Sequence, residues 1–214
     1  MDTLLAIAGI AVTLFIGAAI PGASFLMVAR TAIAFSRADG LAAALGMGAG
    51  GLIFGVLAAL GLKAIFAQTA WLFVAFKIFG GGYLLYFAVA LWRDAARPMA
   101  TNGADDASEP PRRAGWRRSF AFGFMTQLSN PKTVLIYTGI FAAFMPQAMP
   151  GWGFAVLLPL IFAIEFGWYA IVAVAFSAAR PRAAYLGAKG WIDRAAGAVI
   201  GALGAKLVLD AARS

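Results

Sequence analysis

The chain has 214 residues, of which 63% are hydrophobic and 12% charged, and it carries a formal net charge of +8 with no Cys and no His. A mean hydropathy of +0.86, with charges gathered between long apolar runs, is typical of a membrane protein. The missing Cys and His exclude disulfides, thiolate metal sites and histidine proton relays. Basic residues fall mostly in the connectors between apolar runs, a pattern that indicates membrane topology and not nucleic-acid binding. We therefore expect no metal, no cofactor and no nucleic-acid partner.

Six apolar runs are long enough to cross a bilayer, which takes roughly 20 residues. In chain order they are 3–29, 40–62, 71–92, 119–145, 152–178 and 191–209. We predict an all-α membrane protein with six transmembrane helices. The polar, proline-bearing stretch 93–118 lacks an apolar period and is typical of a linker. It divides the chain into a first three-helix repeat, 1–92, and a second, 119–214.

Helix breakers interrupt the first and fourth runs. Pro21-Gly22 lies in the first run, and Asn130-Pro131 followed by Lys132 lies in the fourth. Proline cannot complete helical hydrogen bonds, and a lysine at a helix centre costs roughly 2.5 to 3.5 kcal/mol on insertion scales. Two broken hydrophobic segments in corresponding halves indicate the binding site of a transporter.

The number of spans in each half predicts how the halves are oriented. Three is odd, so the second triplet enters the membrane from the opposite side, which makes an inverted repeat. Most Lys and Arg residues in the connectors lie on one side, in the linker and the first and last short connectors. The positive-inside rule then makes the linker cytoplasmic and places both termini outside the cytoplasm. Glycines spaced four apart, such as Gly46 and Gly50, or Gly197 and Gly201, favour close helix packing within the chain or at a homodimer seam.

Several motifs together resemble one transporter family. They are Pro21-Gly22-Ala23-Ser24 followed by Arg30, the stretch from Gly40 to Gly46, Phe122-Gly123-Phe124, and Leu128 to Lys132. Over nearly the whole chain they resemble the lysine exporter (LysE/RhtB, threonine/homoserine efflux) family. The resemblance implies a multi-pass protein of the cytoplasmic (inner) membrane that exports amino acids or related small metabolites as a secondary transporter, by proton antiport.

The chain departs from the family pattern at two places. Ala23 and Ser24 stand where members commonly have Pro and then Asn or Asp. Gly51 stands where an acidic residue is frequent. Each departure removes a polar group that could meet the ammonium of an amino acid, so the resemblance leaves the exported solute open.

A broken helix can bind both charged groups of an amino acid, because it frees N–H donors at one half-helix and carbonyl acceptors at the other. The prolines free carbonyls about one turn earlier, around Gly17 and Gln127. The candidate substrate-binding residues are Pro21, Gly22, Ser24, Asn130, Pro131 and Lys132. Lys132 is the natural partner for a substrate carboxylate or for Glu165, although it could instead extend to the membrane interface.

Glu165 is the only acidic residue well inside a predicted span. Without histidine, it is the mid-span group besides Lys132 that could take and release a proton near neutral pH. We expect it to couple export to protons; the alternative is a structural carboxyl that is neutral or paired.

Other classes of protein fit the sequence less well. An intramembrane enzyme would need a histidine beside its serine or a pair of buried aspartates, and the predicted spans have neither. A cation or metal exporter of the same superfamily, or a membrane scaffold that transports nothing, stays open as an alternative.

Overall fold

The computed structural model of the chain describes residues 2–68, 70–96, 115–146, 148–175 and 179–213. These residues form eight helices and no strand. The helices are α1 Thr3–Ala19, α2 Ala23–Ala34, α3 Arg37–Gln68, α4 Ala70–Asp94, α5 Trp116–Leu128, α6 Pro131–Phe144, α7 Gly151–Ala175 and α8 Ala179–Ala212. The all-α prediction is confirmed for this part of the chain. Most of the predicted linker, 97–114, and the end of the fifth predicted span, 176–178, lie outside the described residues.

Both predicted helix breaks are observed. The first separates α1 from α2, which meet at an angle of 60°; Ile20 ends α1 in an extended conformation and Gly22 caps α2 without a side-chain hydrogen bond. The second separates α5 from α6. There Asn130 caps α6 by accepting a hydrogen bond from the Lys132 N–H, and Pro131 occupies the first turn, where its missing N–H has no helical partner to lose.

The helices are suited to a bilayer. Segments Arg37–Gly61, Gly151–Ala175 and Gly187–Ala212 are long and apolar enough to cross a membrane, and the bent pair α1–α2 makes a fourth candidate span. Shorter apolar segments lie in α4 and α6, at Ile78–Arg93 and Pro131–Phe144. The chain is a multi-pass membrane protein.

Glycines allow the central helices to touch backbone to backbone. A Cβ atom on Gly46 of α3 would lie 2.1 Å from the Phe120 carbonyl oxygen, and one on Gly123 of α5 would lie 2.1 Å from the Ala43 carbonyl oxygen. Further along α3, a Cβ on Gly51 would meet the side chain of Glu165 on α7. The predicted small-residue face of α3 therefore packs against the chain's own helices.

Helices α4 and α8 form a second close pair. A Cβ on Gly204 would lie 2.7 Å from the Gly81 carbonyl oxygen. A buried apolar cluster then connects α8 to the first helix break, since Ala196, Ile200 and Ile20 all belong to it. The site described next lies where this cluster meets the central helices.

Candidate functional site

The two helix breaks lie side by side. Asn130 Nδ2 at the second break donates to Ser24 Oγ just after the first break, at 2.9 Å. Ser24 Oγ in turn donates to Gln127 Oε1 at 3.5 Å. Residues more than 100 positions apart thus share a polar bridge, and the two interruptions form one site.

Lys132 belongs to the second break but reaches the first. Its Nζ donates to the Ile20 carbonyl oxygen at 3.3 Å, and it would lie 3.7 Å from a Cβ placed on Gly22. The sequence predicted freed carbonyls around Gly17 and Gln127. That placement is wrong for Gln127, whose carbonyl accepts the Asn130 N–H in the turn that closes α5. The acceptor that Lys132 uses is the last carbonyl before Pro21.

Glu165 of α7 lies on the other side of Lys132. Its side chain is 4% exposed, and its Oε1 accepts a hydrogen bond from Tyr137 Oη at 2.9 Å. Within the described residues its Oε2 has no hydrogen-bond partner. The predicted direct pairing of Lys132 with Glu165 is not observed, because the Ile20 carbonyl holds the lysine; the two groups interact only at longer range.

A small polar cavity joins these groups. Its volume is about 20 Å³, enough for a water molecule and far too small for an amino acid. Its polar lining is Gln127, Asn130, Lys132, Thr133, Tyr137, Glu165 and Tyr169. The helices must therefore move apart before the cavity can hold a larger solute.

The site has a positive and a negative end. At the first break, the ammonium of Lys132 stands beside the α2 N-terminus, where the N-cap residue Gly22 makes no side-chain capping hydrogen bond. A helix N-terminus and a cation together attract a carboxylate. At the opposite end, the spare oxygen of Glu165 can accept a hydrogen bond from a cationic group. This arrangement suits a solute that carries both charges.

The predicted site residues have different parts in this arrangement. Ser24, Asn130 and Lys132 come together through their side chains, whereas Pro131 is exposed and serves to start α6. Sequence reasoning considered the carbonyl of Gln127 but missed the role of its side-chain amide, and it missed Tyr137. The signal for Gln127 was an amide inside an apolar run one turn before a break.

The glycine at position 51 makes room for the carboxyl group. A Cβ there would lie 2.8 Å from Glu165 Cγ and 2.9 Å from Tyr137 Oη. A side chain at this position is incompatible with the observed contact between Tyr137 and Glu165. The departure from the family pattern at Gly51 therefore coincides with an acidic group supplied from α7.

Replacing Asn130 tests the local architecture of the second break. We expect Asn130→Ala to lower the free energy of unfolding by about 1 kcal/mol, the usual cost of losing an N-cap, because the Lys132 N–H loses its acceptor and Ser24 its donor. Thermal unfolding in detergent measures this change. Asn130→Asp keeps the capping oxygen and should retain most of the stability; an equal loss in both variants would argue against the cap.

Comparison with known proteins places the chain in a family. Residues 15–211 match the family described as LysE type translocator. The chain is 31% identical over 195 residues to the threonine efflux protein of Salmonella typhi, covering 89% of this chain and 91% of that protein. It is 29% identical over 193 residues to the threonine efflux protein of Escherichia coli, with the same coverage. An uncharacterized membrane protein of Escherichia coli is 30% identical over 190 residues, which cover 89% of this chain and 83% of that protein.

No solved structure matches the chain. The family match spans both helix breaks and all the residues that line the polar cavity except Leu14. The resemblance seen in the sequence motifs is thereby confirmed, and the chain belongs to the LysE family of translocators.

Proposed function

We propose that the protein is a secondary transporter that exports amino acids or related small metabolites across the cytoplasmic membrane, and that it is not an enzyme. The observation that carries the proposal is the meeting of two helix breaks in one polar cavity. Breaks of this kind cost stability unless the freed backbone groups are buried in the protein with partners or line a cavity, as they do at the binding sites of transporters. The names of the two threonine efflux proteins favour threonine as the first solute to test.

The charged groups of the cavity suggest how such a solute is bound. Its carboxylate takes the place of the Ile20 carbonyl on Lys132 and meets the N-terminal N–H groups of α2, which Gly22 cannot cap with a side chain. Its ammonium meets the spare oxygen of Glu165. The first interaction replaces the hydrogen bond from Lys132 to an uncharged carbonyl, and the second gives Glu165 Oε2 a partner. Binding therefore leaves no buried charge of the solute unpaired.

Alternating access would follow from an inverted repeat of six spans, with both termini outside the cytoplasm. In this arrangement the pseudo-twofold axis maps span two onto span five and span three onto span six. The packing of α3 against α7 and of α4 against α8 agrees with such an axis. Movement of one half against the other would open the closed cavity to each side in turn. A homodimer stays a prediction.

Glu165 is the proposed site of proton coupling. We expect Glu165→Gln to exchange labelled substrate across the membrane while losing the dependence of net export on a proton gradient, because the amide resembles the protonated acid and cannot release a proton. Proteoliposomes with an imposed pH gradient measure both activities. Tyr137→Phe is the matched control, since it removes the hydrogen bond and keeps the carboxyl. Full gradient dependence in Glu165→Gln would refute the coupling role.

The proposed activity is tested by export from loaded cells over a panel of hydroxy, neutral and basic amino acids. We expect faster export of at least one member, with threonine tested first, in cells that express the protein than in cells that do not. Equal rates over the whole panel would reject amino-acid export. The same cells loaded with metal cations test the alternative of a cation exporter.

A further inference from the structure

A second buried carboxylate lies near the site, on α8. Asp193 is 1% exposed, and its Oδ2 pairs with Lys189 Nζ one helical turn earlier. Its Oδ1 is buried and has no hydrogen-bond partner in the described part of the chain. A buried carboxylate oxygen without a partner costs free energy. We therefore expect this oxygen to accept a hydrogen bond in another conformation of the protein.

The position of Asp193 on α8 indicates which group that partner is. Asp193, Ala196 and Ile200 are spaced three and four residues apart and therefore share one face of the helix. Ala196 and Ile200 belong to the same buried cluster as Ile20, whose carbonyl accepts a hydrogen bond from the Lys132 ammonium. The face that carries Asp193 therefore borders the cluster that contains the first break.

Two buried carboxylates thus belong to the surroundings of Lys132: Glu165 on α7, which lines the same cavity, and Asp193 on α8, which borders the cluster around Ile20. Glu165 lines the polar cavity, whereas Asp193 does not. A substrate bound in the cavity therefore contacts Lys132 without contacting Asp193, so the two can act as alternative partners of the lysine.

We propose that Asp193 is a positioning residue for Lys132. The Asp193 carboxylate competes with the substrate carboxylate for the Lys132 ammonium group, and the pairing of Lys189 with Asp193 weakens this competition. This inference rests on the proposed function, because it deepens the role of Lys132 in binding. When the solute leaves, the Lys132 ammonium pairs with the Asp193 carboxylate instead of with the uncharged Ile20 carbonyl. Release is thereby favoured, and the empty carrier keeps no unpaired charge.

The competition predicts opposite shifts from two neighbouring substitutions. Asp193→Asn removes the competitor, so the half-saturating concentration of exported threonine falls, and turnover falls with it because release slows. Lys189→Met frees Asp193 to hold Lys132, so the half-saturating concentration rises. Each shift is expected to be about three- to tenfold, in the lower part of the range of coupling between neighbouring residues. Asp193→Glu should restore both parameters.

A merely structural ion pair would not move the two variants in opposite directions. Shifts of the same sign, or no shift in either variant, would overturn the proposal, provided that both variants elute as folded protein from size-exclusion chromatography. Proteoliposome uptake over a series of threonine concentrations gives the two parameters separately.

A second measurement does not depend on transport or on these variants. Because the natural chain has no Cys, Lys132→Cys combined with Asp193→Cys can be tested with a short flexible thiol crosslinker. We expect this pair to crosslink and the pair Lys132→Cys with Arg194→Cys, an exposed neighbour, not to do so. Failure of the first pair to crosslink would overturn the proximity that the inference needs. Crosslinking of the first pair, together with no export of any amino acid of the panel by the natural protein, would reject the proposed function alone.

Discussion

Substituting Lys132 with alanine is expected to lower export by roughly ten- to a hundredfold, the equivalent of losing a hydrogen bond to a charged group. Its ammonium is the cation next to the N-terminus of α2, and within the described part of the chain no other lysine or arginine lines the polar cavity. Without it the substrate carboxylate would enter a buried site with only backbone N–H donors. The initial rate of threonine export, normalised to protein in the membrane, measures the effect.

The control for Lys132 is a lysine of similar chemistry in a different place. Lys206 on α8 is exposed and pairs with Asp210 at 3.7 Å, so Lys206→Ala should leave export almost unchanged, as expected for a surface ion pair. Lys132→Arg keeps the charge and should retain part of the activity. Undiminished export by Lys132→Ala at equal membrane levels would remove the residue from the mechanism.

Substituting Gly123 with alanine is expected to prevent the chain from reaching its folded state in useful amount. The added Cβ would lie 2.1 Å from the Ala43 carbonyl oxygen, a backbone atom that cannot move without separating α3 from α5. Overpacking of this kind costs about 3 kcal/mol or more when the backbone must shift. The yield of monodisperse protein in detergent and its unfolding temperature report the loss.

Gly82 of α4 provides the matched control, because no atom lies within 4 Å of a Cβ placed there. Gly82→Ala should be neutral or slightly stabilising, as expected from helix propensity. Gly46→Ala, on the opposite side of the same contact, should behave like Gly123→Ala. Equal yields for Gly123→Ala and Gly82→Ala would show that α3 and α5 do not touch as described.

The helix breaks could be predicted because their signals are local. A proline inside an apolar run interrupts the helix wherever the rest of the chain lies, and Asn130 before Pro131 is a favourable start for a helix. Helix ends were harder to place. The last predicted span begins at residue 191, yet α8 begins at Ala179, because apolar length marks the membrane-embedded part of a helix and not its full extent.

The partners of the buried charges could not be predicted, because they depend on how distant segments approach each other. Lys132 binds a carbonyl 112 positions away, and nothing near Ile20 in the sequence indicates it. Asp193 was overlooked for a different reason. It lies close to the start of the last apolar run, where a charge suggests the membrane interface, and only the packing of α8 against the first break shows that it is buried.

The central claim, that the joined helix breaks form the binding site of an amino-acid exporter, is tested most directly by counterflow in proteoliposomes. Vesicles preloaded with unlabelled threonine are mixed with a trace of labelled threonine outside. We expect transient accumulation of label with the natural protein and a rate of accumulation lower by roughly ten- to a hundredfold with Lys132→Ala, at equal reconstitution. Accumulation that is the same for both proteins would contradict the site, and no accumulation with any amino acid of the panel would contradict the function.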